Sequence, residues 1–217
     1  MLLYYISGRA QFGGSCEKLL ANIAEAIRCG VDYIQLREKD LSSRELEDLT
    51  RRTIQLRTEN RPLGTEVSGR ETITPKSRVL VNSRTDIAIA AGADGVHLRS
   101  DDVAPATVRA AKSRADIERL TIAVSCHAPG EVRAAYDAGA DFVVFGPVFG
   151  KNHCPGSGLE KLHEAAQIEI PVFALGGVTV QNAASCLAAG AAGVAGIRLF
   201  QSDTVTKTVR DLRSLRA

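Results

Sequence analysis

Between Cys16 and Cys29 the apolar residues Leu19, Leu20, Ile23 and Ile27 recur at helical spacing, and the period then changes abruptly. Val31–Arg37 follows as a short apolar run, the pattern of a strand buried on both faces. Gly30 stands at the change, where a left-handed residue closes a helix. The joint Cys29-Gly-Val-Asp-Tyr-Ile-Gln-Leu36 returns as Ala91-Gly-Ala-Asp-Gly-Val-His-Leu98 and as Ala138-Gly-Ala-Asp-Phe-Val-Val-Phe145. A fourth copy is Ala189-Gly-Ala-Ala-Gly-Val-Ala-Gly196. With another strand and helix in each gap, these joints predict about eight βα units. The expected fold is α/β, a closed (β/α)8 TIM barrel, formed by residues 1–217 as a single domain. A doubly wound open sheet shares the alternation, but the fourfold recurrence favours closure. In a closed barrel, chemistry belongs just after each strand.

The remaining elements follow from the same patterns. Strands are expected at Leu2–Ser7, Arg78–Asn82, Gly95–Arg99, Thr121–Ser125, Phe142–Pro147, Pro171–Leu175 and Gly193–Ile197. Ser42 or Ser43 caps a helix running to about Asn60. Short helices are expected over Asp86–Ala91, from Pro105 and from Pro129. Further helices are expected over Leu159–Gln167, Val180–Ala189 and Thr204–Leu215. Arg61–Lys76, polar and broken by Pro62, Gly64, Gly69 and Pro75, reads as a long loop before the third strand.

Composition narrows the function more than the fold. A hydrophobic fraction of 45% and a charged fraction of 24% are those expected of an ordinary soluble globular protein. A net charge of +2 gives no argument for nucleic acid or membrane as partner and leaves a homo-oligomer open. No apolar run is long enough to cross a bilayer, and the N-terminus lacks a signal-peptide layout. Five cysteines without CxxC spacing favour a reducing cytoplasm over a disulfide framework or a zinc site.

Three rim segments carry the candidate chemistry. Gly176-Gly177-Val178-Thr179 lies between the seventh strand and a helix expected near Val180, where glycines let backbone amides approach an anion. Gly196-Ile197-Arg198 ends the eighth strand and would add amides and a guanidinium, in the barrel position where phosphate commonly binds. A tight turn with glycines needed for packing is the plainer reading. Gln35-Leu36-Arg37-Glu38-Lys39 closes the second strand; alternation points Gln35, Arg37 and Lys39 the same way, suited to a polyanion such as diphosphate. A solvated charge run is the competing reading. Asn82 ends the third strand, and Asp101-Asp102 follow the fourth. Those carboxylates suit either Mg²⁺ bridged to diphosphate oxygens or the cap of the helix at Pro105. His97 sits on the fourth strand as a core residue or a substrate contact, and Ser125 and His127 end the fifth with no nucleophile constellation legible around them.

In this order the segments resemble the thiamine phosphate synthase family, including its thiazole tautomerase branch. The resemblance is carried by Tyr-Ile-Gln-Leu-Arg-Glu-Lys at 33–39, Val-Asn at 81–82, Ala-Asp-Gly-Val-His-Leu at 93–98 with Asp102, and Val-Ser-Cys-His at 124–127. Gly-Ala-Asp-Phe-Val-Val-Phe-Gly-Pro-Val-Phe at 139–149 and Ala-Leu-Gly-Gly-Val at 174–178 complete it. It implies a transferase that joins hydroxymethylpyrimidine diphosphate to thiazole phosphate with Mg²⁺, releasing diphosphate. Gln35, Arg37, Lys39 and Asn82 would hold the diphosphate substrate, Asp102 the metal, and Ser125 would lie beside the reacting centre. His97 would border the pyrimidine, while Gly176, Gly177, Ile197 and Arg198 would cradle the thiazole phosphate.

Three positions depart from the family pattern. Ser83 stands where synthases carry a second acidic metal ligand, Lys151-Asn152-His153-Cys154 replaces a Thr-x-Thr-Lys run, and Arg198 replaces a small residue. Lys151 would stand in for the missing lysine of that run. These departures leave a second expectation, a thiazole tautomerase-like enzyme or a silent thiazole phosphate-binding regulator. Against the tautomerase branch, Pro147 occupies the turn where that branch places its histidine; His127 and His153 remain as proton carriers only if the fold brings them to the site.

Overall fold

A computed structural model describes residues 1–59, 77–111, 120–150, 155–201 and 205–215. Eight parallel strands close in sequence order, each pairing with its neighbour and the eighth with the first. They are β1 (Leu2–Ile6), β2 (Tyr33–Leu36), β3 (Arg78–Asn82), β4 (Gly95–Leu98), β5 (Thr121–Cys126), β6 (Phe142–Phe145), β7 (Val172–Ala174) and β8 (Gly193–Gly196). The intervening helices are α1 (Cys16–Arg28), α2 (Ser43–Glu59), α3 (Thr85–Ala91), α4 (Pro105–Ala110), α5 (Pro129–Asp137), α6 (Gly158–Ala166), α7 (Ala183–Ala188) and α8 (Val205–Ser214). The expected TIM barrel is therefore the fold, and the open sheet is excluded by the β1–β8 pairing.

Alternation divides the apolar residues into two cores. Leu3 and Tyr5, Val79 and Val81, and Ile122 and Val124 face the helices. Tyr4, Ile6, Leu80, Ala123, Phe142, Val144, Phe173 and Ala195 fill the barrel interior. Tyr4, Tyr33, Phe142 and Phe173 pack as a cluster of rings, with centroids from 4.9 to 5.8 Å apart. Above this aromatic layer, toward the strands' C-terminal ends, the inward positions become polar: Gln35, Asn82, His97 and Ser125.

The recurrent joint behaves as its glycine predicts. Gly30, Gly92, Gly139 and Gly190 all have positive φ, between 71° and 97°. The Asp two residues later has a separate function that the pattern alone did not disclose. Asp32, Asp94 and Asp141 accept the backbone amides of Leu3, Val79 and Ile122 at 2.7, 2.8 and 2.6 Å. Each also pairs with an arginine from the last turn of an even-numbered helix: Arg213 at 2.7 Å, Arg57, and Arg109 at 2.6 Å. The fourth copy has Ala192 instead, and among the described residues the His163 ring of α6 meets only the carbonyl of Ala189, at 3.3 Å. Three carboxylates thus stitch odd strands to even helices around the N-terminal rim.

Several boundaries differ from expectation. The seventh helix begins at Ala183, not Val180, because Thr179 and Asn182 tie the intervening residues into a turn. In that turn the Thr179 amide donates to Asn182 Oδ1 at 2.7 Å and the Asn182 amide to Thr179 Oγ1 at 3.3 Å. β2 stops at Leu36 and β6 at Phe145, the latter just before Pro147, which has no amide to donate. A short 3₁₀ helix over Arg9–Phe12 was not apparent in the pattern. The expected long loop at 61–76 lies outside the described residues.

Candidate active site

The polar layer above the aromatic floor is built from strand ends. Gln35 of β2, Asn82 of β3, His97 of β4 and Ser125 of β5 line a cavity of about 290 Å³, with Arg37 at its edge. Gln35 and His97 are 2% exposed, so the cavity floor is fixed by the barrel wall and not by loops. Leu175 and Ile197 close the opposite side, and both also line a larger cavity of about 660 Å³. That second cavity holds Gly176, Gly177 and Arg198, with Phe149, Val178 and Leu199 as apolar walls. The two spaces therefore adjoin across two residues.

Glu38 explains how Arg37 is presented. It is 6% exposed and accepts the Ser7 hydroxyl at 2.5 Å and the Arg9 amide at 3.0 Å. Ser7 in turn accepts the Arg37 amide at 2.8 Å, so the β1 loop anchors the backbone on either side of the guanidinium. Lys39 does not share Arg37's direction, because β2 has ended and the alternation with it. Lys39 opens instead on a third cavity of about 280 Å³ with Ser83, Arg84 and Arg99, joined to the first through Asn82 and Arg99. Among the described residues, Arg37, Lys39 and Arg198 have no carboxylate partner.

The glycine turn has a packing requirement of its own. Gly176 and Gly177 have φ of 93° and 65°, and a Cβ on them would lie 2.6 Å from Pro147 Cα and 2.7 Å from Phe149 Cβ. The amides of Val148 and Phe149 donate to the carbonyls of Leu175 and Gly176, stapling this turn to the one after β6. Close packing and anion binding are compatible, since among the described residues the amides of Gly177, Val178 and Arg198 donate to no group. Because α7 is short and starts at Ala183, these amides, and not a helix terminus, are the groups left free to meet an anion.

Asp102 is not a helix cap: Ala104 holds that position, with no side-chain cap bond. Its Oδ2 accepts the Ser83 hydroxyl at 2.6 Å and the Arg99 amide at 2.7 Å, while Oδ1 faces Arg99 Nε at 3.5 Å. Burial works to raise its pKa, but the bonds from Ser83 and the Arg99 amide, with the guanidinium's charge, hold it below the usual carboxylate range. Asn82 Nδ2 donates to Ser83 Oγ at 3.0 Å, completing a chain from cavity to carboxylate. Ser83 itself has φ of 59°, the one non-glycine residue with positive φ among those described. Asp101, not Asp102, lines the first cavity, where it pairs with Arg99 at 3.1 Å. Among the described residues no group of three or more His, Cys, Asp or Glu side chains could hold a metal.

His97 and Ser125 meet directly, Nε2 to Oγ at 2.8 Å, and Tyr4 OH lies 2.9 Å from His97 Nδ1. Burial, assisted by the Arg37 charge, pushes the His97 pKa down to about 3, so the ring is neutral. This chain of side chains leaves no local pattern, because its members come from three strands separated in sequence. His127 lines the first cavity, with its own amide donating to Glu131 Oε2 at 2.7 Å. Lys151 and His153 lie outside the described residues.

Residues 3–200 match the model of a family described as thiamine monophosphate synthase. A Geobacter sulfurreducens protein named "Putative thiamine-phosphate synthase" is 43% identical, covering 93% of this chain and 87% of its own. A Syntrophomonas wolfei thiamine-phosphate synthase is 34% identical, over 98% of this chain and 95% of its own. Among solved structures, thiamine phosphate pyrophosphorylase from Pyrococcus furiosus superposes with a TM-score of 0.78 at 29% identity, covering 98% of this chain and 93% of that one.

Proposed function

The chain belongs to the thiamine monophosphate synthase family, and from that premise we propose that its barrel mouth joins hydroxymethylpyrimidine diphosphate to thiazole phosphate, releasing diphosphate. The observation that carries the reading is the pair of adjoining cavities sharing Leu175 and Ile197, with cations lacking carboxylate partners on both sides. Arg37 would neutralise charge on the departing diphosphate, and Lys39 would do so from the neighbouring cavity. Gln35 and Asn82 would bind the pyrimidine diphosphate, with His97 and Ser125 bordering the ring. The free amides at Gly177, Val178 and Arg198, with the Arg198 guanidinium, would hold the thiazole phosphate. Lys151 is proposed as a further contact from the loop after β6.

Holding both reactants on rigid strand ends is the main catalytic device here, since the reaction asks for close approach of acceptor and leaving site. Asp102 would offer Mg²⁺ a single carboxylate, chiefly Oδ1, since Oδ2 already accepts from Ser83 and the Arg99 amide; such a site relies on waters and substrate phosphate oxygens in place of a full protein cage. When bound, the ion would neutralise developing charge on diphosphate. The proposal includes a reducing cytoplasmic setting; the cysteines at 16, 29, 126 and 186 are free, and no described helix is long and apolar enough to cross a membrane.

A second reading has a specific observation behind it. Ser83 and the Arg99 amide already occupy Asp102 Oδ2, which suits a thiazole phosphate binder or tautomerase-like enzyme that needs no metal. The test is incubation of the purified chain with both substrates and Mg²⁺, with calorimetry on thiazole phosphate alone. Product supports the synthase; binding without product supports the second reading.

A further inference from the structure

Tyr4 stands on β1 beneath the cavity, fully buried and in contact with the rings of Tyr33, His97, Phe142 and Phe173. Among the described residues its hydroxyl has one hydrogen-bond partner, His97 Nδ1. A buried phenolic proton without an acceptor loses its hydrogen bond to water and gains none, so this proton belongs on the bond to Nδ1. Nδ1 must then be the unprotonated nitrogen, and a neutral imidazole carries its hydrogen on Nε2. Nε2–H points at Ser125 Oγ, which accepts it. The serine's own proton is left to face the cavity. The reverse wiring, with Ser125 donating to Nε2 and Nδ1–H to the phenol oxygen, would strand the phenolic proton.

We propose that Tyr4 is a positioning residue of the active site: by donating to His97 Nδ1 it fixes the ring's tautomer and makes Ser125 a hydrogen-bond donor toward the bound substrate. The logic is the inverse of a Ser–His–Asp triad. There a carboxylate accepts from Nδ1–H, which frees Nε2 to take the serine proton. Here a donor holds Nδ1, Nε2 cannot act as a base, and Ser125 is kept from becoming a nucleophile. Burial favours the neutral ring, as does Arg37, with Asp102 the opposing charge. The assignment of the tautomer is independent of the reaction. The last link, donation by Ser125 to an acceptor atom of the pyrimidine diphosphate, rests on the proposed reaction.

The experiment uses the full chain, labelled with nitrogen-15, and reads the His97 ring nitrogens by long-range proton–nitrogen correlation near neutral pH, assigned by loss in His97→Gln. The expected spectrum has protonated Nε2 and unprotonated Nδ1. A protonated Nδ1, in either the other tautomer or the cation, overturns the proposal. In Tyr4→Phe, which keeps the ring and loses the donor, the Nδ1 signal should move and kcat should fall about 10-fold, the scale of one hydrogen bond. The KM for thiazole phosphate should stay within about twofold, because the other cavity is untouched. In a Ser125→Ala background the same substitution should cost less than about twofold; fully additive losses would overturn the coupling. Should the chain make no product, the wild-type spectrum still decides the tautomer, which separates failure of the relay from failure of the reaction. It also decides if Tyr4→Phe does not fold.

Discussion

The two ends of the barrel use the same kinds of charged residue for opposite purposes. At the N-terminal rim, Asp32, Asp94 and Asp141 each bind a strand amide and an arginine from a helix, so charge is matched within the fold. At the C-terminal mouth, Arg37, Lys39 and Arg198 have no carboxylate partner among the described residues, and free amides line the cavity beside them. The first arrangement orders the chain without any ligand. The second leaves positive potential to be met by something from solution, and two adjoining cavities give it shape. Tyr4 lies between the two ends, since its ring packs in the aromatic floor while its hydroxyl reaches the polar layer of the mouth.

Substitutions at the two ends should therefore separate activity from stability. The largest effect expected is on turnover: Arg37→Ala should lower kcat/KM by roughly 10²–10³-fold, the usual cost of losing one charge-stabilising donor. Its unfolding free energy should stay within about 0.5 kcal/mol of wild type in urea titration. Asp102→Asn should lower turnover at limiting Mg²⁺ more than it lowers thiazole phosphate binding. Equal losses in both would erase the division between the two cavities.

The next effect is an acid sensitivity located at the mouth. His97 has a folded pKa of about 3 against an ordinary value of 6.5, so below the latter the unfolded chain binds a proton that the folded one does not. Stability from this group is thus intact above pH 6.5 and falls as pH drops toward about 3, with a slope near 1.4 kcal/mol per pH unit. Urea titrations of wild type and His97→Gln between pH 6 and 4 should diverge by that slope. Parallel curves would place the proton elsewhere.

Smaller effects belong to the N-terminal rim. Asp32→Ala should destabilise by about 2 kcal/mol, since it strands a strand amide and Arg213 together. Asp141→Ala should cost about 1 kcal/mol, because that carboxylate is 47% exposed and solvent screens its ion pair. Turnover per folded molecule should be unchanged in both. Smallest of all, Ala192→Asp with His163→Arg would complete the fourth copy and should add about 0.5 kcal/mol. A gain in thermal midpoint for the pair, absent from either single substitution, is the sign to look for.

How much of this was legible from sequence follows the same division. The helix–glycine–strand joint is local, so its glycines, strand runs and fourfold recurrence were readable, and the closed barrel with them. The glycine turn and the Gln35–Lys39 segment were found because barrel position tells which strand end faces the mouth. Residues whose function depends on distant partners were not legible. Asp32, Asp94 and Asp141 were visible as repeats, but their arginines come from other helices. Ser7 and Glu38, which hold Arg37, meet across two strands, and Tyr4, His97 and Ser125 across three. Alternation misled at Lys39 because the strand had ended, and apolar periodicity overextended α7 because Thr179 and Asn182 close a local turn first.

On the proposed function, the unpartnered charge at the mouth serves two phosphorylated substrates at once. The most direct test is the purified chain with hydroxymethylpyrimidine diphosphate, thiazole phosphate and Mg²⁺, following thiamine phosphate and diphosphate together. The two products should form in equal amounts, dependent on Mg²⁺ and on Arg37. Thiazole phosphate that binds at the Gly177–Arg198 cavity while no thiamine phosphate forms at any Mg²⁺ concentration would contradict it.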